Sequence, residues 1–250
     1  MRYAIELSYR GTNYNGWQIQ PNAPSVQEEI ERRLTQLFGN NPVSIVGCGR
    51  TDTGVHASYY VLHFDSDKEC ECTELKYKLN KMLPDDIAIF GVQKVSEDFH
   101  ARFSAHSRTY HYFVHQHKDA FAANSLLLNK EVDFETMNEA AKLLLGKQDF
   151  TSLSKLHTDV KTNICDVTDA RWIPTQSGWY FQITANRFLR NMVRATVGTL
   201  LEVGYGGLNP NDIKTILEAK DRGEAKLSVP AHALFLSNVE YPDGLFSRTK

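Results

Sequence analysis

This chain is poor in the features that announce a specialised class. Of its 250 residues only four are cysteine: Cys48, Cys70, Cys72 and Cys165. Their spacing matches no zinc site and no Cys-x-x-Cys redox pair, so they read as reduced thiols, and the expected compartment is a reducing cytoplasm. No apolar run approaches the roughly 18 residues of a membrane span, so no membrane association is expected. The segment Met1-Arg2-Tyr3-Ala4-Ile5 enters a strand pattern at once, so no leader peptide is expected either. A Gly-x-x-x-x-Gly-Lys phosphate loop is missing. Low-complexity segments and flexible linkers are missing as well. Charge of one sign is scarce: 28 basic against 30 acidic side chains give a formal net charge of -2. Bulk charge therefore does not point to a nucleic-acid binder.

What is present is an ordinary soluble composition, 42% hydrophobic and 23% charged. A core of that size needs no metal or disulfide staple. The charge is unevenly spread. Acids are absent from Arg102 to Lys118, which holds Arg102, Arg108, Lys118 and four histidines, and from Arg171 to Val197, which holds Arg171, Arg187, Arg190 and Arg194. Such stripes read either as solvated faces or as phosphate-binding tracks.

The hydrophobic periods predict a strand over Tyr3–Tyr9, a Gly/Asn-rich loop, and a helix from Val26 to about Phe38 behind the capping box Ser25-Val26-Gln27-Glu28. Strands over Val43–Cys48 and Ala57–Phe64 bracket a tight turn. A helix marked by Leu75, Leu79 and Met82 stops at Pro84, and a strand runs over Ile87–Val95. Residues Asp98–Ser107 form an irregular connection. Beyond it come a strand over Arg108–His115, a helix from Phe134 to Leu144 ended by Gly146, and strands over Ile164–Trp172 and Trp179–Thr184. A long helix is predicted over Phe188–Val203, a shorter one from Asn209-Pro210 to about Ala219, and a last strand over Leu234–Tyr241. Two halves of similar order, 1–105 and 106–250, point to an α+β architecture with helices on one face of a sheet.

The turn is the most informative stretch: Gly49-Arg50-Thr51-Asp52-Thr53-Gly54-Val55-His56-Ala57. Glycines allow positive φ and close approach to the backbone, so the carboxylate of Asp52 is displayed. Taken alone, these residues read as an Asx-type turn. Asp52-Thr53-Gly54 also matches the triplet of aspartic proteases, but those enzymes need two carboxylates sharing a proton and no second triplet exists here. Tyr110 alone reads as strand core with Tyr112 and Val114, and Arg194 alone reads as a surface helix arginine. His56 suits either contact with a substrate or a structural hydrogen bond.

The Asp52 segment resembles the signature of the tRNA pseudouridine synthase A family. Other pieces agree, in the family's order: Tyr14-x-Gly16-Trp17-Gln18-x-Gln20 with Ser25-Val26-Gln27; Phe99-His100-Ala101-Arg102-Phe103-Ser104-Ala105 and Arg108-Thr109-Tyr110; Gly146-x-x-Asp149-Phe150-Thr151-Ser152; Asn186-x-Phe188-Leu189-x-x-Met192-Val193-Arg194 with Val197-Gly198; and Leu236-x-x-Val239-x-Tyr241-Pro242. The chain departs from the family at Arg190-Asn191, where histidines are common, and at Ala233-Leu234-Phe235.

The resemblance implies two RRM-like halves sharing a continuous, mostly antiparallel sheet with a central cleft, and a homodimer that binds tRNA. It implies conversion of uridine to pseudouridine at positions 38, 39 and 40 of the anticodon stem-loop, without metal or other cofactor. It makes Asp52 the nucleophile, attacking C1′ or C6. Arg194 becomes its ion-pair partner, and Tyr110 the ring that stacks on the base and serves the proton step at C5. Arg50, Arg102, Arg108 and Arg190 become substrate contacts. A catalytically silent RNA-binding protein on the same scaffold is the alternative.

Overall fold

In the computed structural model, which describes residues 1–155, 162–242 and 245–246, alternating apolar positions form strands and apolar positions at helical spacing form amphipathic helices. In chain order the elements are β1 (Arg2–Tyr9), α1 (Val26–Leu37), β2 (Ile45–Gly47), β3 (His56–Asp65), α2 (Cys72–Met82), β4 (Ile87–Val95), β5 (Ser107–His115), β6 (Leu126–Leu127), α3 (Phe134–Lys142), β7 (Gly146–Asp149), β8 (Ile164–Pro174), β9 (Trp179–Ala185), α4 (Met192–Gly204), α5 (Asp212–Ala219) and β10 (Leu234–Glu240). The architecture is α+β. The chain divides into two units: Met1–His106 with Phe235–Lys250, and Ser107–Leu234. The last strand, grouped by sequence order with the second half, thus belongs with the first unit.

In the first unit β4, β1, β3 and β10 lie side by side, and β2 also pairs with β3. Pairing is antiparallel except for β10 against β3, where Phe235 faces His56 and Leu236 faces Ala57. Register places Tyr3, Ile5 and Leu7 opposite Phe64, Leu62 and Tyr60. These side chains are buried, as are Val26, Ile30 and Leu34 on the apolar stripe of α1. Ser25 caps α1 by accepting from the Glu28 amide at 3.2 Å. On the other sheet face His63 packs edge-on against Phe99. Phe99 in turn packs on Tyr241 and Phe246, so β3 is covered on both sides.

In the second unit the strand order is β5, β9, β8, β7, with β6 parallel to β5. Here burial alternates along β8: Cys165, Val167, Ala170 and Trp172 are buried and their neighbours largely exposed, the pattern of a sheet packed on one face. Ten of the 13 residues of α4 are buried, which makes it the central helix of this unit.

Three sequence expectations need correction. The long helix does not begin at Phe188. Asn191 adopts φ 65° and ψ 0°, a left-handed conformation that asparagine tolerates and a helix cannot include, and its side-chain Nδ2 donates to Ser228 Oγ at 2.6 Å. Helix α4 therefore starts at Met192, and Arg187 and Arg190 lie on a loop. The helix expected from Asn209-Pro210 opens at Asp212, after a turn closed by the Asp212 amide on the Asn209 carbonyl at 3.0 Å. The strand expected over Val43–Cys48 covers only Ile45–Gly47.

Candidate active site

Asp52 sits half-buried on the turn that leads into β3. The Val55 amide donates to the Asp52 carbonyl at 3.1 Å, and Gly54 takes φ +77°, the positive angle that such a turn demands at its third residue. The residues around Asp52 are tied to the first unit's core. Tyr60 donates to the Gly49 carbonyl at 2.5 Å, Tyr9 and Thr51 share a hydroxyl bond of 2.8 Å, the Trp17 amide donates to the Thr51 carbonyl, and the Gly54 amide donates to the Tyr14 carbonyl, both at 3.3 Å. Behind this frame Trp17 stacks on Tyr60 with centroids 4.0 Å apart, and Tyr9 packs edge-on against Tyr60. Burial pushes the Tyr60 hydroxyl well above its usual range, so it remains a donor.

The loop after β1 carries this frame, and it approaches so closely that only glycine fits. A Cβ at Gly11 would lie 2.0 Å from the Val55 carbonyl oxygen, and one at Gly16 would lie 2.3 Å from that of Thr51. Asp86 fixes the loop from below, accepting from Tyr14 at 2.7 Å and from Asn13 at 3.0 Å. His56 is fully buried. Its Nδ1 accepts from the Gly11 amide at 3.1 Å and its ring stacks on Phe235 at 4.5 Å, so its role is structural. Arg50 and Arg102, also of the first unit, are exposed.

The other expected site residues belong to the second unit. Tyr110 lies on β5 opposite Ile183 of β9, half-buried, with its ring edge-to-face against Phe188 at 4.9 Å and 81°. Sequence reasoning did not single out Phe188 as this support, although the Asn186-x-Phe188 pattern contained it. Tyr112 is fully buried, and its hydroxyl donates to the Pro230 carbonyl at 2.9 Å. Arg194 stands in the first turn of α4. Its Nε donates to the Val229 carbonyl at 2.7 Å, and its own carbonyl accepts from the Val229 amide at 3.2 Å. The Nε bond ties the guanidinium to the segment before β10, and the backbone bond pins that segment to the first turn of α4. Arg108 donates to the Asn186 carbonyl at 3.0 Å, and Arg190 is exposed on the loop before α4.

Among the described residues no group of three or more His, Cys, Asp and Glu side chains is arranged to hold a metal ion, and no helix is long and apolar enough to cross a membrane. The four cysteines are free thiols.

A family model described as tRNA pseudouridine synthase matches residues 6–104 and 140–242. Arg50, Asp52 and Arg102 fall in the first matched segment and Arg190 and Arg194 in the second; Arg108 and Tyr110 lie between them. The chain is 54% identical over 250 residues to tRNA pseudouridine synthase A of Porphyromonas gingivalis, covering 98% of this chain and 99% of that one. It is 53% identical to the enzyme of that name from Parabacteroides distasonis, over 98% of each chain. Against that of Francisella tularensis subsp. novicida identity is 40%, over 98% of this chain and 96% of the relative. With the family model covering most of its length and such relatives matching it end to end, this chain belongs to the tRNA pseudouridine synthase family.

Proposed function

We propose that this protein isomerises uridine to pseudouridine at positions 38, 39 and 40 of the tRNA anticodon stem-loop, with Asp52 as the nucleophile. The observation that carries the reading is the frame around Asp52. Gly49, Thr51 and Gly54 are each bonded to Tyr60, Tyr9, Trp17 or Tyr14, and the Val55 amide closes the turn on the Asp52 carbonyl, which supports a turn whose backbone positions the carboxylate.

The reaction breaks the N1–C1′ bond, turns the uracil, and joins C5 to C1′. The proton on C5 is lost and N1 regains one, so atoms balance without a co-substrate. A carboxylate is ionised at neutral pH and needs no base to activate it. Attack at C1′ gives a glycosyl ester like that of retaining glycosidases; attack at C6 gives an adduct on the ring. In either route Arg194 balances the charge of Asp52 while bound nucleotide excludes water, and Tyr110 stacks on the base and serves the proton step. The target uridine must leave its stack, at a cost of a few kcal/mol. Arg50 fills the space or holds the phosphate, and Arg102, Arg108 and Arg190 hold the backbone. The protein acts as a homodimer in the cytoplasm.

The test is to incubate the protein with unmodified tRNA transcripts carrying uridine at positions 38, 39 and 40, to label pseudouridine selectively with a carbodiimide, because the isomer has the mass of uridine, and to map the labelled positions by mass spectrometry. Pseudouridine at those positions supports the reading. Modification confined to other positions contradicts the assignment, and no modification of any tRNA favours a silent RNA-binding protein.

A further inference from the structure

The connection that follows β4 ends in an exposed aromatic with unusual backing. Phe103 is 75% exposed. Its ring lies 4.4 Å from that of His100, which lies 5.0 Å from that of His63, and His63 is only 4% exposed. Three rings thus run in a column from the core of the first unit to solvent. The backbone under the column is fixed at nearly every residue. His63 Nδ1 accepts from the Ala101 amide at 3.1 Å, and His100 Nδ1 accepts from the amides of Arg102 and Phe103 at 3.2 and 3.3 Å. The amide of His100 donates to Ser104 Oγ at 3.0 Å, and the Ser104 amide returns to the His100 carbonyl at 2.8 Å. Arg2 donates to the Phe99 carbonyl at 2.8 Å, and Tyr241 to that of Ala101 at 2.6 Å. The Arg102 guanidinium carbon stands 5.5 Å from the Phe103 ring centroid.

An apolar ring held in water on a rigid loop gains nothing for the fold, since most of its surface is unburied. It offers instead a preformed π-face, and the adjacent guanidinium offers a partner for phosphate. A nucleotide presents the same two features, base face and phosphate, at neighbouring positions. Pre-organisation of the loop removes the ordering cost that a mobile aromatic would incur on binding.

We propose that Phe103, backed by His100 and flanked by Arg102, is a stacking platform for an unpaired or extruded base of the tRNA. This site rests on the reading of the protein as a tRNA pseudouridine synthase and adds a base contact outside the Asp52 turn. Stacking of a base on an aromatic side chain sets the expected size: Phe103→Ala weakens binding about 5- to 150-fold.

The experiment measures Kd for an unmodified tRNA transcript with the full chain, alongside tritium release from 5-³H-uridine tRNA. Phe103→Trp should bind within about 3-fold of wild type, whereas Phe103→Leu and Phe103→Ala should both lose affinity, because an aliphatic side chain of similar bulk cannot stack. The salt dependence of Kd should be unchanged in Phe103→Ala and shallower by about 0.7 to 0.9 in log-log slope in Arg102→Gln. His100→Asn, whose Oδ1 replaces the Nδ1 acceptor, should keep the loop but weaken binding by removing the backing ring. Phe103→Leu binding tRNA as tightly as wild type would overturn the platform while leaving the enzymatic reading intact. Wild type that neither binds nor modifies tRNA would overturn both. Retained thermal unfolding in Phe103→Leu and Phe103→Ala establishes that any loss is of contact and not of fold.

Discussion

The frame around Asp52 makes a sharp prediction at Gly16. Replacing it by alanine places a Cβ 2.3 Å from the Thr51 carbonyl oxygen and 3.2 Å from the Asp52 carbonyl carbon, at a residue with φ +88°. Carbon and oxygen do not sit closer than about 3 Å, so one side must move by roughly 0.7 Å or more. The loop side is anchored: the Trp17 amide bonds the Thr51 carbonyl, the Gly16 carbonyl accepts from the Val26 amide at 3.3 Å, and Trp17 is stacked on Tyr60. The Thr51–Gly54 side is half-exposed and gives more easily. A displacement near 1 Å at a reacting group costs on the order of 10²-fold in rate. The positive φ adds about 1–2 kcal/mol of strain in the folded state. Gly39 separates these effects, since it has φ +72° with no atom within 4 Å of its Cβ position. Gly39→Ala should lose a similar stability with unchanged turnover. Gly16→Ala should lose stability and also drop single-turnover tritium release about 100-fold, with tRNA Kd within about 3-fold of wild type. A folded Gly16→Ala protein with turnover within 3-fold of wild type would refute the idea that the 11–17 loop positions Asp52.

Other outcomes follow from single groups. Burial, helped by the charge of Arg2 and the neighbouring His100, lowers the His63 pKa from 6.5 to about 4. The unfolded chain therefore takes up the proton first, and stability contributed by neutral His63 is full above about pH 6.5 and is lost as pH falls towards 4. At pH 5 the loss is at most about 2 kcal/mol, the limit set by a shift from 6.5 to about 4. Urea midpoints at pH 7 and 5 should show a smaller acid loss in His63→Asn, which keeps the acceptor for Ala101; an identical loss would contradict the assignment. Ser25→Ala removes the cap of α1 and should cost about 1 kcal/mol in urea unfolding, with no change in tRNA affinity. Cys165 is fully buried, and its burial pushes the thiol up to about 11, so iodoacetamide at pH 8 should label Cys70 and Cys72 and spare Cys165 until the chain is unfolded, as peptide mass spectrometry would show.

Most long elements were legible because their apolar periods are strong. The Ser25 cap, the stripe of Val26, Ile30 and Leu34, and the alternation along β8 each coincide with an observed element. The short strands β6 and β7 carry too few residues to show a period, and β7 contains only Gly146–Asp149. The start of α4 is hidden in the sequence because Phe188, Leu189, Met192 and Val193 keep helical spacing across a break that Asn191 makes with its backbone. At the site, the glycines around Asp52 announced a turn. The need for Gly11 and Gly16 was hidden, because the atoms they avoid, on Val55 and Thr51, are some 40 residues away in sequence. Tyr60 read as an ordinary strand residue, and its bond to the Gly49 carbonyl depends on the register between β3 and the turn.

The central claim is that Asp52 is the nucleophile, and single-turnover tritium release from 5-³H-uridine tRNA by Asp52→Asn tests it most directly. Asparagine keeps the shape of the side chain and cannot form the covalent ester or ring adduct. The account predicts normal folding, tRNA binding close to wild type, and release below about 10⁻⁴ of the wild-type rate, a barrier increase of at least ~5.5 kcal/mol. Release by Asp52→Asn within about 100-fold of wild type, with the asparagine verified intact by mass spectrometry, would contradict it.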